Sequence, residues 1–194
     1  MTTKSPSSRR KFYDAWDEIE YLYLKILHWF YPVRDHPRAL RFCERIRVLL
    51  ERVASHHEAI FGEECWSLYY EVKGDLSNAI KYRESEIKLI KRLWEISLGT
   101  PGEEIAFEQY DVSDLSDRLD LLAILYHDAS ELDKAISVLR ESESLCRSHG
   151  VRFDGKDLLR DYLAEKKRIH ANGDGRARVR AGSRALASNR ARAR

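Results

Sequence analysis

The sequence predicts an all-α fold built from antiparallel helical hairpins, three of them followed by a capping helix. From Phe12 to about Ala171 the apolar residues recur at intervals of three and four, and no segment alternates with period two for long. The 194 residues are 43% apolar yet hold only nine Gly and four Pro, which suits helices and argues against a β-sandwich, a collagen or a wholly disordered chain. The length fits one domain with tails.

The first helix is expected from about Arg10 to Phe30, ending before Pro32. The second opens at Pro37, a good first-turn residue, and runs to about Ser55 with Ala39, Phe42, Cys43, Ile46, Leu49, Leu50 and Val53 along one face. A third, about Ala59 to Lys73, stops at Gly74, and a fourth runs from about Leu76 to Ser97 before the breaker LGTPG. After an inserted loop over 98–112, with a short turn expected at Glu103–Phe107, come helices at about Ser113–Ala129 and Leu132–His149. A seventh, Lys156 to about Ala171, closes the array.

Laying the hairpins over one another exposes a repeat. Phe30, Tyr70 and Tyr126 each stand nine residues before an Ala that a branched aliphatic follows: Ala39-Leu40, Ala79-Ile80 and Ala135-Ile136. Leu49, Leu89 and Leu145 follow ten residues after each Ala, and Asp35, Asp75 and Glu131 stand four before it, placed to cap the second helix or complement its dipole. The Ala allows two helices to approach closely, the aromatic fills the space beside it, and the Leu extends the contact to the next hairpin.

This pattern resembles the tetratricopeptide repeat, most clearly in WSLYYEVKGDLSNAIKYRESEIKL at 66–89 and next in LLAILYHDASELDKAISVLRESESL at 121–145. Gly74-Asp75-Leu76, Ala79-Ile80 and Tyr82 stand where that family's hallmark residues stand. The departures are Glu86 and Ile46 in place of a small residue late in the second helix, no proline after the repeat, and Ala-to-Ala spacings longer than the family's. The resemblance covers about residues 20–149 and implies a right-handed stack of hairpins whose first helices line a concave, partner-binding surface. Aligned in that way, the face comprises Tyr21, Leu24, His28 and Tyr31 in the first repeat, Phe61, Glu64, Leu68, Glu71 and Val72 in the second, and Asp117, Asp120, Ile124, His127 and Asp128 in the third. The run of Lys, Asn and Arg with which family members grip an acidic carboxylate is missing. A face aromatic at one end and acidic at the other suits a peptide with apolar and basic residues better than it suits phosphate, which carboxylates repel.

Charge is unevenly shared. With 34 basic and 32 acidic residues the chain carries +2, but residues 171–194 hold seven Arg against Asp174 alone, leaving the body mildly acidic. That tail, of Ala, Arg, Gly and Ser, is too poor in apolar residues to fold alone and is expected to be disordered over 172–194, as are residues 1–9, leaving 10–171 as the helical domain. Arg176, Arg178, Arg180, Arg184, Arg190, Arg192 and Arg194, with Lys4, Arg9, Arg10 and Lys11, offer an alternative role in contacting nucleic-acid phosphates; a purely solubilising tail is the plain alternative.

No catalytic set emerges, and an enzyme is not expected. His56-His57-Glu58 has no P-C-x-x-C partner and no second His at metalloprotease spacing, no His has a Glu three residues before it, and neither glycine-rich nucleotide cradle is present. Asp111, Asp114, Asp117 and Asp120 read as a charged solvent face at a helix start. No metal or cofactor is expected. Cys43, Cys65 and Cys146 are widely spaced, form no disulfide framework and read as small buried hydrophobes in a reducing cytoplasm. The N-terminus lacks a signal-peptide h-region, and Tyr21–Tyr31, the most apolar run, is too short to cross a bilayer, so no membrane partner is expected. The functional expectation is a non-enzymatic protein-protein interaction adaptor for a protein or peptide partner, of basic character.

Overall fold

The computed structural model describes residues 12–53, 59–99 and 111–171, with backbone alone over 95–99. Every regular element among them is helical: α1 (Ala15–Phe30), α2 (His36–Leu50), α3 (Ala59–Val72), α4 (Leu76–Gly99), α5 (Val112–Asp128), α6 (Leu132–Ser148) and α7 over 156–171. α1 pairs with α2, α3 with α4 and α5 with α6, and α3 also packs on α2. The helices expected within 10–171 fall into two compact units, one holding α1–α4 and the other α5–α7. The expected turn at Glu103–Phe107, the His56-His57-Glu58 triplet and both terminal segments lie outside the described residues.

Two helix ends differ from expectation, each for a local reason. α1 begins at Ala15, not Arg10, because the Asp14 carboxylate accepts the Asp17 N–H at 2.9 Å and fixes the first turn there. α2 ends at Leu50, short of Ser55; the N–H groups of Arg52 and Val53 both turn back to the Leu49 carbonyl.

The repeat read from the sequence is a repeat of backbone geometry. Ala39, Ala79 and Ala135 have no exposed surface, and each donates its N–H to the carbonyl of the acidic residue four before it, at 3.0, 3.0 and 3.1 Å. Asp35 and Asp75 also cap α2 and α4 through their side chains, accepting from Arg38 and Asn78 N–H groups, whereas Glu131 makes no such bond and pairs with Lys134. The residue before each acid is left-handed: Arg34 at φ 57°, Gly74 at 75° and Ser130 at 64°. This residue reverses the chain and lets the acid's N–H reach back to the first helix, to Trp29, Tyr70 and Tyr126 carbonyls at 2.8–2.9 Å.

In the first unit Ile19, Leu22 and Ile26 of α1 meet Ala39, Cys43, Ile46, Leu49 and Leu50 of α2 and Cys65, Leu68, Tyr69 and Val72 of α3. Trp66, Tyr70 and Tyr82 stack at the α3–α4 margin, with ring centroids 5.4–6.0 Å apart. The second unit buries Leu115, Leu119, Leu122, Ala123, Leu125 and Tyr126 of α5, Ala135, Ile136, Leu139 and Cys146 of α6, and Leu159 and Tyr162 of α7. Burying each large aliphatic or aromatic side chain contributes about 1.5–3 kcal/mol.

Two predictions follow from the crossings and turns. Ala79→Trp and Ala135→Trp, placed where no surface is exposed, are expected to cost about 1–3 kcal/mol or more in thermal melts, with Lys81→Ala, on an exposed residue, near neutral. At the left-handed positions Gly74→Ala is expected to lose about 1 kcal/mol although a Cβ there meets nothing within 4 Å, whereas Ser130→Gly gains a few tenths, about 0.5 kcal/mol, in denaturant titration.

Candidate functional site

In the first unit, α1 presents an exposed stripe of Glu20, Leu24, His28 and Tyr31, one residue per turn. Leu24 is 56% and Tyr31 43% exposed, high values for apolar side chains on an otherwise packed helix. Beside the stripe α1 meets α3 through two like contacts. Tyr23 Oη donates to Glu64 Oε1 at 2.6 Å, and two turns along Tyr31 Oη donates to Glu71 Oε1 at 2.7 Å. Phe61 sits edge-on to Tyr23 at 5.3 Å and against Trp16 at 6.2 Å. Tyr21 packs on Phe12, with the Lys25 ammonium 5.3 Å from its ring. Burial, then the Glu64 charge, pushes the Tyr23 phenol well above its ordinary range, so it stays a hydrogen-bond donor.

Two residues expected on this face are not on it. Leu68 is 2% exposed and Val72 fully buried; both belong to the core shared by α1, α2 and α3. Leu68 shares the helical arc of Phe61, Glu64 and Glu71 and is buried because that part of α3 packs into the core with α1 and α2. Behind the face lies a buried ion pair on α4, Arg83 Nη1 to Glu86 Oε2, with the residues 3% and 0% exposed. Arg83 Nε has no hydrogen-bond partner.

In the second unit the exposed stripe of α5 is Asp117, Leu121, Ile124 and Asp128, two aliphatics between two carboxylates. Asp111 and Asp114, at the start of the same helix, cap it reciprocally. Two further residues expected on the open face, Asp120 and His127, turn instead toward α7. His127 lies flat on Tyr162, 4.3 Å between centroids and 5° between planes, with Nε2 2.9 Å from Glu165. Asp120 lies so close to the α7 start that a Cβ on Gly155 would stand 2.5 Å from its Oδ2. α7 thus stands to α5 as α3 stands to α1, with His127 and Glu165 in the places of Tyr31 and Glu71. Its outer side, including Lys156, Asp157, Arg160, Asp161 and Lys167, is charged and exposed.

Asp120 is electrostatically strained. Its Oδ1 is buried without a partner, and burial, opposed by a hydrogen bond from Ser142 and reinforced by Asp117 and Asp154, pushes its carboxyl up to about 6. Burial pushes the Cys43 thiol up to about 12 and the Cys65 thiol well above its ordinary value, which disfavours the thiolate at both. Among the described residues no group of three His, Cys, Asp or Glu is arranged to hold a metal ion, and no helix is long and apolar enough to cross a membrane.

Sequence reasoning missed Tyr23, Leu121, Tyr162 and Glu165. Leu121 was within reach, being the helical step between Asp117 and Ile124; the α7 partners were not, since nothing in the spacing says which face of α5 that helix covers. The Arg tail lies outside the described residues. No family model matches this sequence, and no curated protein or solved structure matches it.

The Asp120 carboxyl titrates higher folded than unfolded, so the folded state holds its proton more tightly. Its contribution is present below about pH 4 and is lost as pH rises through about 6. Asp120→Asn is therefore expected to stabilise the protein by about 1–2 kcal/mol at pH 7.5 and to give no gain near pH 4, by urea unfolding at the two pH values. Glu86→Ala, which leaves Arg83 buried and uncompensated, is expected to cost about 3–5 kcal/mol, much of it recovered by the double change Arg83→Met, Glu86→Leu.

Proposed function

We propose that this protein is a non-enzymatic interaction module whose hairpins are of the tetratricopeptide kind, stacked in the right-handed manner, and whose first helices present a binding face to a protein or peptide partner. The observation that carries this reading is the pair of exposed stripes on α1 and α5, each an apolar centre beside acidic groups: Leu24 and Tyr31 with Glu20, and Leu121 and Ile124 with Asp117 and Asp128. Isolated exposed apolar side chains are ordinary, but aligned ones on packed helices remain costly to leave in water and are regained on binding. Carboxylates at their edges favour a partner carrying Lys or Arg among apolar residues. The repeated Ala crossings and turn geometry support the family likeness.

A second reading rests on the seven tail arginines: an accessory protein that holds nucleic acid through phosphates, with affinity that falls steeply with salt. The two separate in titrations of the full chain. Peptides alternating Arg with Leu or Val are expected to bind the wild type, and Leu24→Asp with Ile124→Asp to weaken binding by about tenfold, the equivalent of 1.4 kcal/mol. Unchanged affinity in that double variant removes the adaptor reading. Salt-sensitive binding of nonspecific DNA or RNA, abolished by changing the tail arginines to glutamine, favours the second.

A further inference from the structure

We infer that the α5 stripe is a docking surface for the chain's own Arg-rich segment, residues 172–194, which acts there as a tethered competitor of the basic partner. The inference rests on the reading of this stripe as a binding face and names its resident occupant. Three observations lead to it.

The first is the surface itself. Leu121 is 36% and Ile124 37% exposed, and Asp117 and Asp128 bracket them on the same side of α5. Asp117 and Asp128 stand about 16 Å apart along the helix axis, eleven residues at the α-helical rise. Arg118, the cation nearest in sequence, lies within 4.0 Å of Asp114 and also acts electrostatically on Asp117, and His127 stands 3.8 Å from Asp128.

The second is where the segment starts. Asp120 lies at Gly155 and His127 at Tyr162 and Glu165, so α5 and α7 run parallel. The chain leaves α7 after residue 171, about 14 Å beyond the level of His127, and Asp117 lies about 28 Å back along the axis. Arg184 stands 13 residues beyond residue 171; a random coil of that length spans about 20 Å root-mean-square and reaches about 43 Å when extended, so the tether permits this encounter and gives an effective concentration on the order of millimolar.

The third is complementarity of charge and spacing. The segment carries seven Arg and one Asp, with Val179 among its first arginines. Arg178 and Arg184, six residues apart, can span up to about 20 Å, enough to bracket the roughly 16 Å between Asp128 and Asp117. Each exposed ion pair contributes little alone, and the tether raises their sum.

The test uses the full chain. Ser183→Cys introduces one reactive thiol, Cys43, Cys65 and Cys146 being buried, and carries a nitroxide label. At low salt the amide NMR signals of residues 117–128 are expected to lose about half their intensity or more, and to recover in about 0.5 M salt, where screening is short-ranged. Asp117→Asn with Asp128→Asn, and separately Arg178→Gln with Arg184→Gln, are expected to restore the signals at low salt. No selective loss on α5, or a loss that neither salt nor these substitutions relieve, overturns the inference. An equal loss in isotope-labelled chains mixed with separate spin-labelled chains overturns it too, since the occupant is then a second copy's segment. Binding of an Arg-Leu peptide to the α5 stripe with no nitroxide effect sinks this inference alone and leaves the adaptor reading standing, whereas failure of the peptide to bind even the Arg178→Gln, Arg184→Gln chain counts against that reading.

Discussion

Each hairpin depends on how closely two helices approach at a single alanine. Ala39, Ala79 and Ala135 are fully buried, and a side chain any larger would push the second helix off the first. The left-handed residue five positions earlier fixes the angle at which the second helix arrives, so that crossing and turn form one unit. At the Ala79 crossing a polar group assists: Ser67 Oγ on α3 donates to the Ala79 carbonyl at 2.9 Å, holding α3 on α4 by a bond that a small side chain can make.

One column of the repeat shows how the same backbone accepts different interiors. Seven residues after each alanine stand Ile46, Glu86 and Ser142, and all three are fully buried. Ile46 fills its place with hydrocarbon. Ser142 joins Ser116 at 2.8 Å in a small network that also takes a bond from Cys146 to Ser116. Glu86 brings its own counterion, Arg83, one turn before it. Charge burial of this kind adds little net stability, and because both partners stand on α4 the charge is matched within one helix where the first hairpin uses hydrocarbon.

Much of the helical order was legible in the sequence because amphipathic spacing, proline and glycine act locally. Asp35, Asp75 and Glu131 were legible as a column, but not the difference among them, since whether a side chain caps or pairs with Lys134 depends on rotamer choice. Arg34 and Ser130 gave no sign of left-handed backbone; only Gly74 did, and they adopt it because the turn between packed helices imposes it. The exposed face was readable at Leu24, Tyr31 and Ile124. It was misread at Leu68 and Val72, whose environment is decided by a third helix. His127 and Asp120 belong to the same class: sequence placed them on the correct helix, and the arrival of α7 decided that they face it.

The burial of the thiols makes the chain its own reporter. Cys43 and Cys65 sit among the packed residues of α1–α3, and Cys146 sits beneath α5 beside Ser116. None is accessible to an alkylating reagent until the surrounding helices separate. The rate at which each thiol is modified therefore measures the opening of one neighbourhood, and the two units carry independent clocks for local unfolding.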